Sequence, residues 1–142
     1  MKGVTFLELI LVIAILLLLG VISVPFTGRF LVRNNQQTAV YRVMSETWKA
    51  QDFASSGREI NGNRVWGVCL SGTKFRLFNG NCTSPTFKED YDMPVGVSIS
   101  GIESVTFDNL TGEPSGVTTI TISNEARSNT ITINAVGMIE EN

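Results

Sequence analysis

One carboxylate stands where a carboxylate is costly. From Val4 to Phe26 the chain runs through 23 residues of which only Thr5, Glu8, Gly20, Ser23 and Pro25 are not apolar. As a helix this stretch is roughly 35 Å long, enough to span a bilayer core about 30 Å thick. An acid inside such a segment costs a few kcal/mol, so its partner has to be named. The nearest candidate is an amine at the start of a neighbouring chain. Cleavage between Gly3 and Val4 would expose a new α-amine one helical turn from Glu8, and Glu8 of one copy could then pair with the Val4 amine of the next, offsetting the desolvation of both. The alternative is a carboxylate near an interface that stays hydrated or protonated.

The rest of the chain offers little reactive chemistry. There is no histidine, which excludes nucleophilic catalysis through Ser-His-Asp or Cys-His pairs. Cys69 and Cys82 are the two cysteines, too few to complete a zinc site. A disulfide between them is permitted if the domain is exported; two small buried residues are the other reading. Glu89, Asp90 and Asp92 cluster near Tyr91. They lack the spacing of a calcium-binding EF-hand loop and read as a solvated acidic loop, so no metal or other cofactor is expected. No glycine-rich phosphate loop links a strand to a helix, and no pair among the thirteen acids is singled out as glycosidase carboxylates. The chain reads as a non-enzyme.

Charge is unevenly placed. Residues 1–42 carry Lys2, Arg29, Arg33 and Arg42 against Glu8, whereas residues 43–142 carry seven basic and twelve acidic side chains. Nucleic acid is not an expected partner of so acidic a domain, because affinity for phosphate rests on clustered Lys and Arg. Lys2 favours a cytoplasmic N-terminus, but Arg29 and Arg33 lie just beyond the other end of the apolar run, so the positive-inside count leaves orientation open.

The elements that must position these residues follow from periodicity. Pro25 removes a helical hydrogen bond, predicting a kink near Ile22. Helix then resumes: Val32, Ala39, Val43, Ala50 and Ala54 mark one apolar stripe, widened by Val40, Met44 and Trp48. Ser55-Ser56-Gly57 is a stop signal. Strands are expected over 65–70 and 74–78 around a turn at Ser71-Gly72-Thr73, then over 95–100, 104–107, 117–123, 130–134 and 136–139. The expected architecture is α+β, a long N-terminal helix with a membrane-spanning first half, packed on an antiparallel β-sheet domain. Its divisions are 1–3 as a leader, 4–26 as the apolar helix, 27–57 as its amphipathic continuation and 58–142 as the β-rich domain.

The opening, Lys2-Gly3 followed by Val4-Thr5-Phe6-Leu7-Glu8-Leu9-Ile10, resembles the cleavage and methylation motif of type IV prepilins and of the pseudopilins of type II secretion. Val4 stands where Phe or Met is commoner, and Phe6 where Leu is. The resemblance implies a pilin-like fold and cleavage after Gly3 by a prepilin peptidase, which also methylates the Val4 amine. It implies that Glu8, with Thr5, guides subunit assembly, and that Pro25 is the kink proline. Implied partners are the peptidase, other pilin or pseudopilin subunits and an inner-membrane assembly platform. The implied location is a single-pass inner-membrane protein with an extracytoplasmic C-terminal domain, which later joins a pilus or pseudopilus. The strand tract from Val65 to Phe78, with the closing 130–133 and 137–139 segments, is similar to H-type minor pseudopilins. Two alternatives stand beside the structural subunit. One is a DNA-binding minor pilin using Arg58, Arg64, Lys74, Arg76 and Lys88. The other is a signal-anchored extracytoplasmic domain that never polymerises.

Overall fold

The computed structural model describes residues 5–142, with side chains described outside 21–30. The chain divides into two compact units, Met1–Asn34 and Asn35–Asn142. Helix α1, Phe6–Ser55, contributes to both.

In the first unit, Thr5 caps α1. Its hydroxyl accepts the Glu8 backbone N–H at 3.3 Å, and its carbonyl accepts the N–H groups of Glu8 (3.1 Å) and Leu9 (3.2 Å). Thr5-Phe6-Leu7-Glu8 thus has the spacing of a capping box, in which the N-cap oxygen satisfies a donor that the first turn leaves unpaired. The large apolar side chains that follow are all exposed, from Phe6 at 79% to Leu19 at 58%. The sequence-based expectation of a membrane-spanning first half is corrected here: among the described residues no helix is long and apolar enough to cross a membrane. The described stretch over 6–20 is about 22 Å of helix, less than a bilayer core of about 30 Å. The kink assigned to Pro25 lies outside the described residues.

In the second unit, α1 ends where Ser55-Ser56-Gly57 predicted. Gly57 takes φ 69°, the N–H of Arg58 bonds to the Phe53 carbonyl at 3.0 Å, and that of Gly57 to Ala54 at 2.9 Å. This is the paired hydrogen-bond closure of a glycine-terminated helix. The expected single sheet is also corrected, to two. Strands β1 (Trp66–Ser71), β2 (Lys74–Asn79), β3 (Phe87–Asp92) and β5 (Ser104–Phe107) form one antiparallel sheet in the order β3-β2-β1-β5. Strands β4 (Ser98–Ser100), β6 (Thr118–Ser123), β7 (Ser128–Ile133) and β8 (Ile139–Glu141) form the other, in the order β4-β6-β7-β8. The chain changes sheet between β4 and β5, and Gly101 makes the bend at φ 87°, where a Cβ would collide with the Thr119 carbonyl.

Alternation along the strands builds one core. Val68, Phe75, Leu77, Val105 and Phe107 from one sheet, and Ile120, Ile122, Ile131 and Ile133 from the other, join Ala39, Val40, Val43, Ala50 and Ala54 of α1. Two members of the expected helical stripe lie off it. Val32 is 42% exposed and precedes the packed unit, which begins at Asn35. Trp48 is 51% exposed because five residues at 3.6 per turn carry it about 140° round the helix from Val43. Polar residues occupy part of the buried face instead. Gln36 reaches Asn129 Oδ1 (2.8 Å) and the Ile122 carbonyl (3.3 Å), fastening α1 to the second sheet. Gln51 donates to the Gly112 (3.1 Å) and Gly137 (3.0 Å) carbonyls, holding two loops against the helix.

Two expected strands are shorter than their apolar runs. Gly96 at φ 80° and a Val97-to-Pro94 backbone bond turn the chain before β4. Asn134 Oδ1 accepts the N–H groups of Val136 and Met138, which makes that stretch a turn and delays β8 to Ile139.

Cys69 and Cys82 form a disulfide. Cys69 sits on the outer face of the first sheet yet is fully buried, as is its neighbour Phe78. The bridge brings the chain after β2 back to β1, and Arg76 Nη1 donates to the Cys82 carbonyl at 2.9 Å, binding the same loop. Closing a 13-residue span stabilises a domain by about 3 kcal/mol. Cys69→Ala with Cys82→Ala is therefore expected to lower the urea midpoint of the full chain in detergent, and an unchanged midpoint would show that the bridge contributes nothing.

Candidate functional site

The sequence points to the start of α1, and the described part of that region is Thr5 to Gly20. Glu8 lies in the first helical turn, exposed among exposed apolar side chains. Its backbone N–H is held by Thr5, so these two residues also have a local task, starting the helix. Gly3 and Val4, assigned to cleavage and N-methylation, lie outside the described residues. A helix apolar on every side is stable in water only when something covers it. Around Glu8 lie Phe6, Leu7, Leu9, Ile10 and Leu11, each more than half exposed. This surface can pack against other apolar helices or lipid, and its one carboxylate can select a cation within that packing.

A second concentration of charge lies on β3. Glu89, Asp90 and Asp92, read from sequence as a solvated acidic loop, instead lie on β3 at the edge of its sheet. Period-two alternation was present but masked by charge: Phe87, Glu89 and Tyr91 point inward, Lys88, Asp90 and Asp92 outward. The outward acids meet β2 cations directly across the strand pair. Asp90 opposes Arg76, bonded at 2.5 and 3.0 Å, and Asp92 opposes Lys74 at 3.1 Å. The Arg76 guanidinium holds Asp90 below the usual carboxylate range.

On the inner side, Glu89 pairs with Lys49 of α1 and accepts the Tyr91 hydroxyl at 2.6 Å. The Lys49 bond is the main cause that holds Glu89 low, with the Tyr91 bond second. Burial pushes the Tyr91 phenol well up, helped by Glu89 and Glu46. The ring also lies under the Arg42 guanidinium, 4.7 Å from its centroid. Glu46, 4% exposed, is held by Arg42 (3.5 Å) and Lys49 (3.6 Å). Each acid here faces a base, and a phenol kept protonated supplies no general base. The arrangement clamps α1 to an edge strand. Sequence reasoning missed it because its members come from Arg42–Lys49 and Glu89–Tyr91, separated by some forty residues.

The five cations weighed as phosphate binders are largely occupied. Arg64 pairs with Glu59 at 2.7 Å, Lys74 with Asp92, Arg76 with Asp90 and Lys88 with Asp90 at 3.9 Å. Arg58 stacks over the rings of Phe53 and Trp66 at 4.1 and 5.6 Å. Contact with a nucleic acid would have to break these pairs, which works against binding. Among the described residues no group of three or more Cys, Asp or Glu side chains is arranged to hold a metal ion.

The chain matches no protein-family model, no curated protein and no solved structure.

Proposed function

We propose that this chain is a structural subunit, a minor pilin or pseudopilin, of a filament assembled from helices like α1. The observation that carries the reading is the exposed, all-round apolar start of α1 with Glu8 as its one charged residue between Thr5 and Gly20. In a bundle of such helices each apolar face covers another, and the acid accepts the Val4 amine of the adjoining copy. Before assembly, lipid of the cytoplasmic membrane offers the same surface a second apolar surround. The globular domain then belongs outside the cytoplasm, where its Cys69–Cys82 bridge persists. On this reading the role is mechanical rather than catalytic. Its partners are a prepilin peptidase, an assembly platform and other subunits of the same kind.

Processing tests the reading directly. In cells that contain a prepilin peptidase, intact-mass measurement of the mature chain is expected to show a start at Val4 with a methylated amine. A chain that still begins at Met1 in those cells overturns the proposal, because the amine that Glu8 requires would never form.

A further inference from the structure

We infer that Asn61 is a site of spontaneous covalent modification, where the folded chain converts an asparagine into aspartate and isoaspartate. Two Asn-Gly steps occur, Asn61-Gly62 and Asn79-Gly80. Glycine has no side chain to shield its nitrogen from the carbonyl of the preceding asparagine side chain. The fold treats the two steps oppositely. Asn61 and Gly62 are exposed and form the tip of a turn between α1 and β1. Their φ values of 49° and 82° suit the two central positions of a tight Asn-Gly turn, which Ile60 and Asn63 close with two backbone bonds of 2.9 Å. Among the described hydrogen bonds none uses the Gly62 N–H, and the space around Gly62 is open. Asn79, by contrast, is fully buried. Its Nδ2 donates to the carbonyls of Asn63 (3.2 Å) and Val65 (3.1 Å), and the Gly80 N–H donates to the Val65 carbonyl at 2.8 Å. There the attacking nitrogen and the departing amine are both tied down, and water has no approach.

The chemistry at the exposed step needs only hydroxide and water. Hydroxide removes the Gly62 N–H proton, the nitrogen bonds to Asn61 Cγ, the Cγ–Nδ2 bond breaks, and Nδ2 takes a proton from water and leaves as ammonia. Water then adds to either carbonyl carbon of the five-membered imide and opens it. Addition at Cγ restores the ordinary backbone with a carboxylate side chain. Addition at the main-chain carbonyl carbon leaves the chain running through Cγ, as isoaspartate. Water enters, ammonia leaves, and nothing is oxidised or reduced. Either product puts a new carboxylate between Glu59 and Arg64 in the chain, residues that pair at 2.7 Å. Isoaspartate also adds one atom to the backbone of a turn whose ends are locked together. Asn63 passes that slack onward, because its carbonyl holds Asn79 and its Oδ1 accepts the Val65 N–H at 3.0 Å, just before β1.

The test incubates the full chain in detergent and mildly alkaline buffer made with heavy-oxygen water. Trypsin digestion in ordinary water, after reduction, then gives the peptides 59–64 and 77–88, and fragment-ion spectra place the label and distinguish isoaspartate from aspartate. The label at position 61 is expected to exceed that at 79 by roughly tenfold or more, because the buried step must open before it can react. Unfolding in urea is expected to remove that difference. Equal labelling of the two positions in the folded chain, or no label at position 61, overturns the inference, and so does a difference that persists in urea, since sequence rather than fold would then set it. Amide hydrogen exchange over 60–65 reads the consequence. It is expected to quicken in the aged chain and not in Asn61→Asp, which carries the charge without the longer backbone. Unchanged exchange in an aged chain that contains isoaspartate overturns the loosening of the turn.

Discussion

Replacing Glu8 by Ala is expected to remove the chain from sheared filaments while leaving its level in the cell-envelope fraction unchanged. The expected size comes from what each role of Glu8 is worth. Glu8 stands three residues after the capping Thr5, and a purely local role in starting the helix is worth about 0.5–1 kcal/mol. As the partner of an amine inside an apolar bundle, its removal strands a buried charge and costs about 3–5 kcal/mol. The larger figure corresponds to a loss of roughly two to three orders of magnitude in the assembly equilibrium. Glu8→Gln separates the two roles. Glutamine serves a capping box as glutamate does, so a purely local role predicts normal assembly of the Gln variant. The ion-pair role predicts that Gln fails as badly as Ala, because only the charge has gone. If both variants enter filaments at the level of the unmodified chain, the pairing of Glu8 with a neighbouring amine is refuted.

The second large effect concerns the junction at the end of α1. Trp66 is fully buried at the first residue of β1. Its ring packs edge-on against Phe53 of α1 at 4.7 Å and Phe87 of β3 at 5.9 Å, and its indole N–H donates to the Arg58 carbonyl at 2.7 Å. One side chain therefore joins the helix, the chain leaving it and two strands. Trp66→Ala is expected to cost about 3–5 kcal/mol, the range for deleting a large buried aromatic, a large share of the stability of a domain this size. Trp66→Phe keeps ring packing but leaves the Arg58 carbonyl without its donor, for an expected loss of about 1–3 kcal/mol. Urea unfolding of the full chain in detergent, followed by near-ultraviolet circular dichroism, measures both. A Trp66→Ala midpoint equal to that of the parent would show that the ring does not bind these elements together.

Local signals foretold the elements where one residue type dictates backbone shape. Gly57 after two serines predicted the helix stop, and Gly72 gave the β1–β2 turn its positive φ of 65°. The Thr/Ile alternation over 117–123 and 130–134 foretold two strands, which the structure places at Thr118–Ser123 and Ser128–Ile133. Strand β3 was hidden because three of its six residues are acids, and acids read as loop until Lys49, Lys74 and Arg76 are placed beside them. Trp48 was read as widening the apolar stripe because it follows Val40 and Met44 at four-residue steps; only the position of the sheets shows that it is left exposed. The Gln36 and Gln51 contacts were illegible for a similar reason, since a buried amide depends on carbonyls more than sixty residues away.

From the sequence alone came the helix with its apolar beginning, Glu8 as the lone acid of that stretch, the absence of histidine chemistry and most strand positions. These are written in neighbouring residues, and period, turn chemistry and composition read them directly. Only the tertiary structure decided that the strands divide between two sheets, that Cys69 and Cys82 join and that the acids of β3 are paired. It also decided which side of α1 is left outward with Tyr41 and Trp48 upon it. Those outcomes depend on which distant segments share a core, and the burial of apolar surface selects such partners collectively rather than residue by residue.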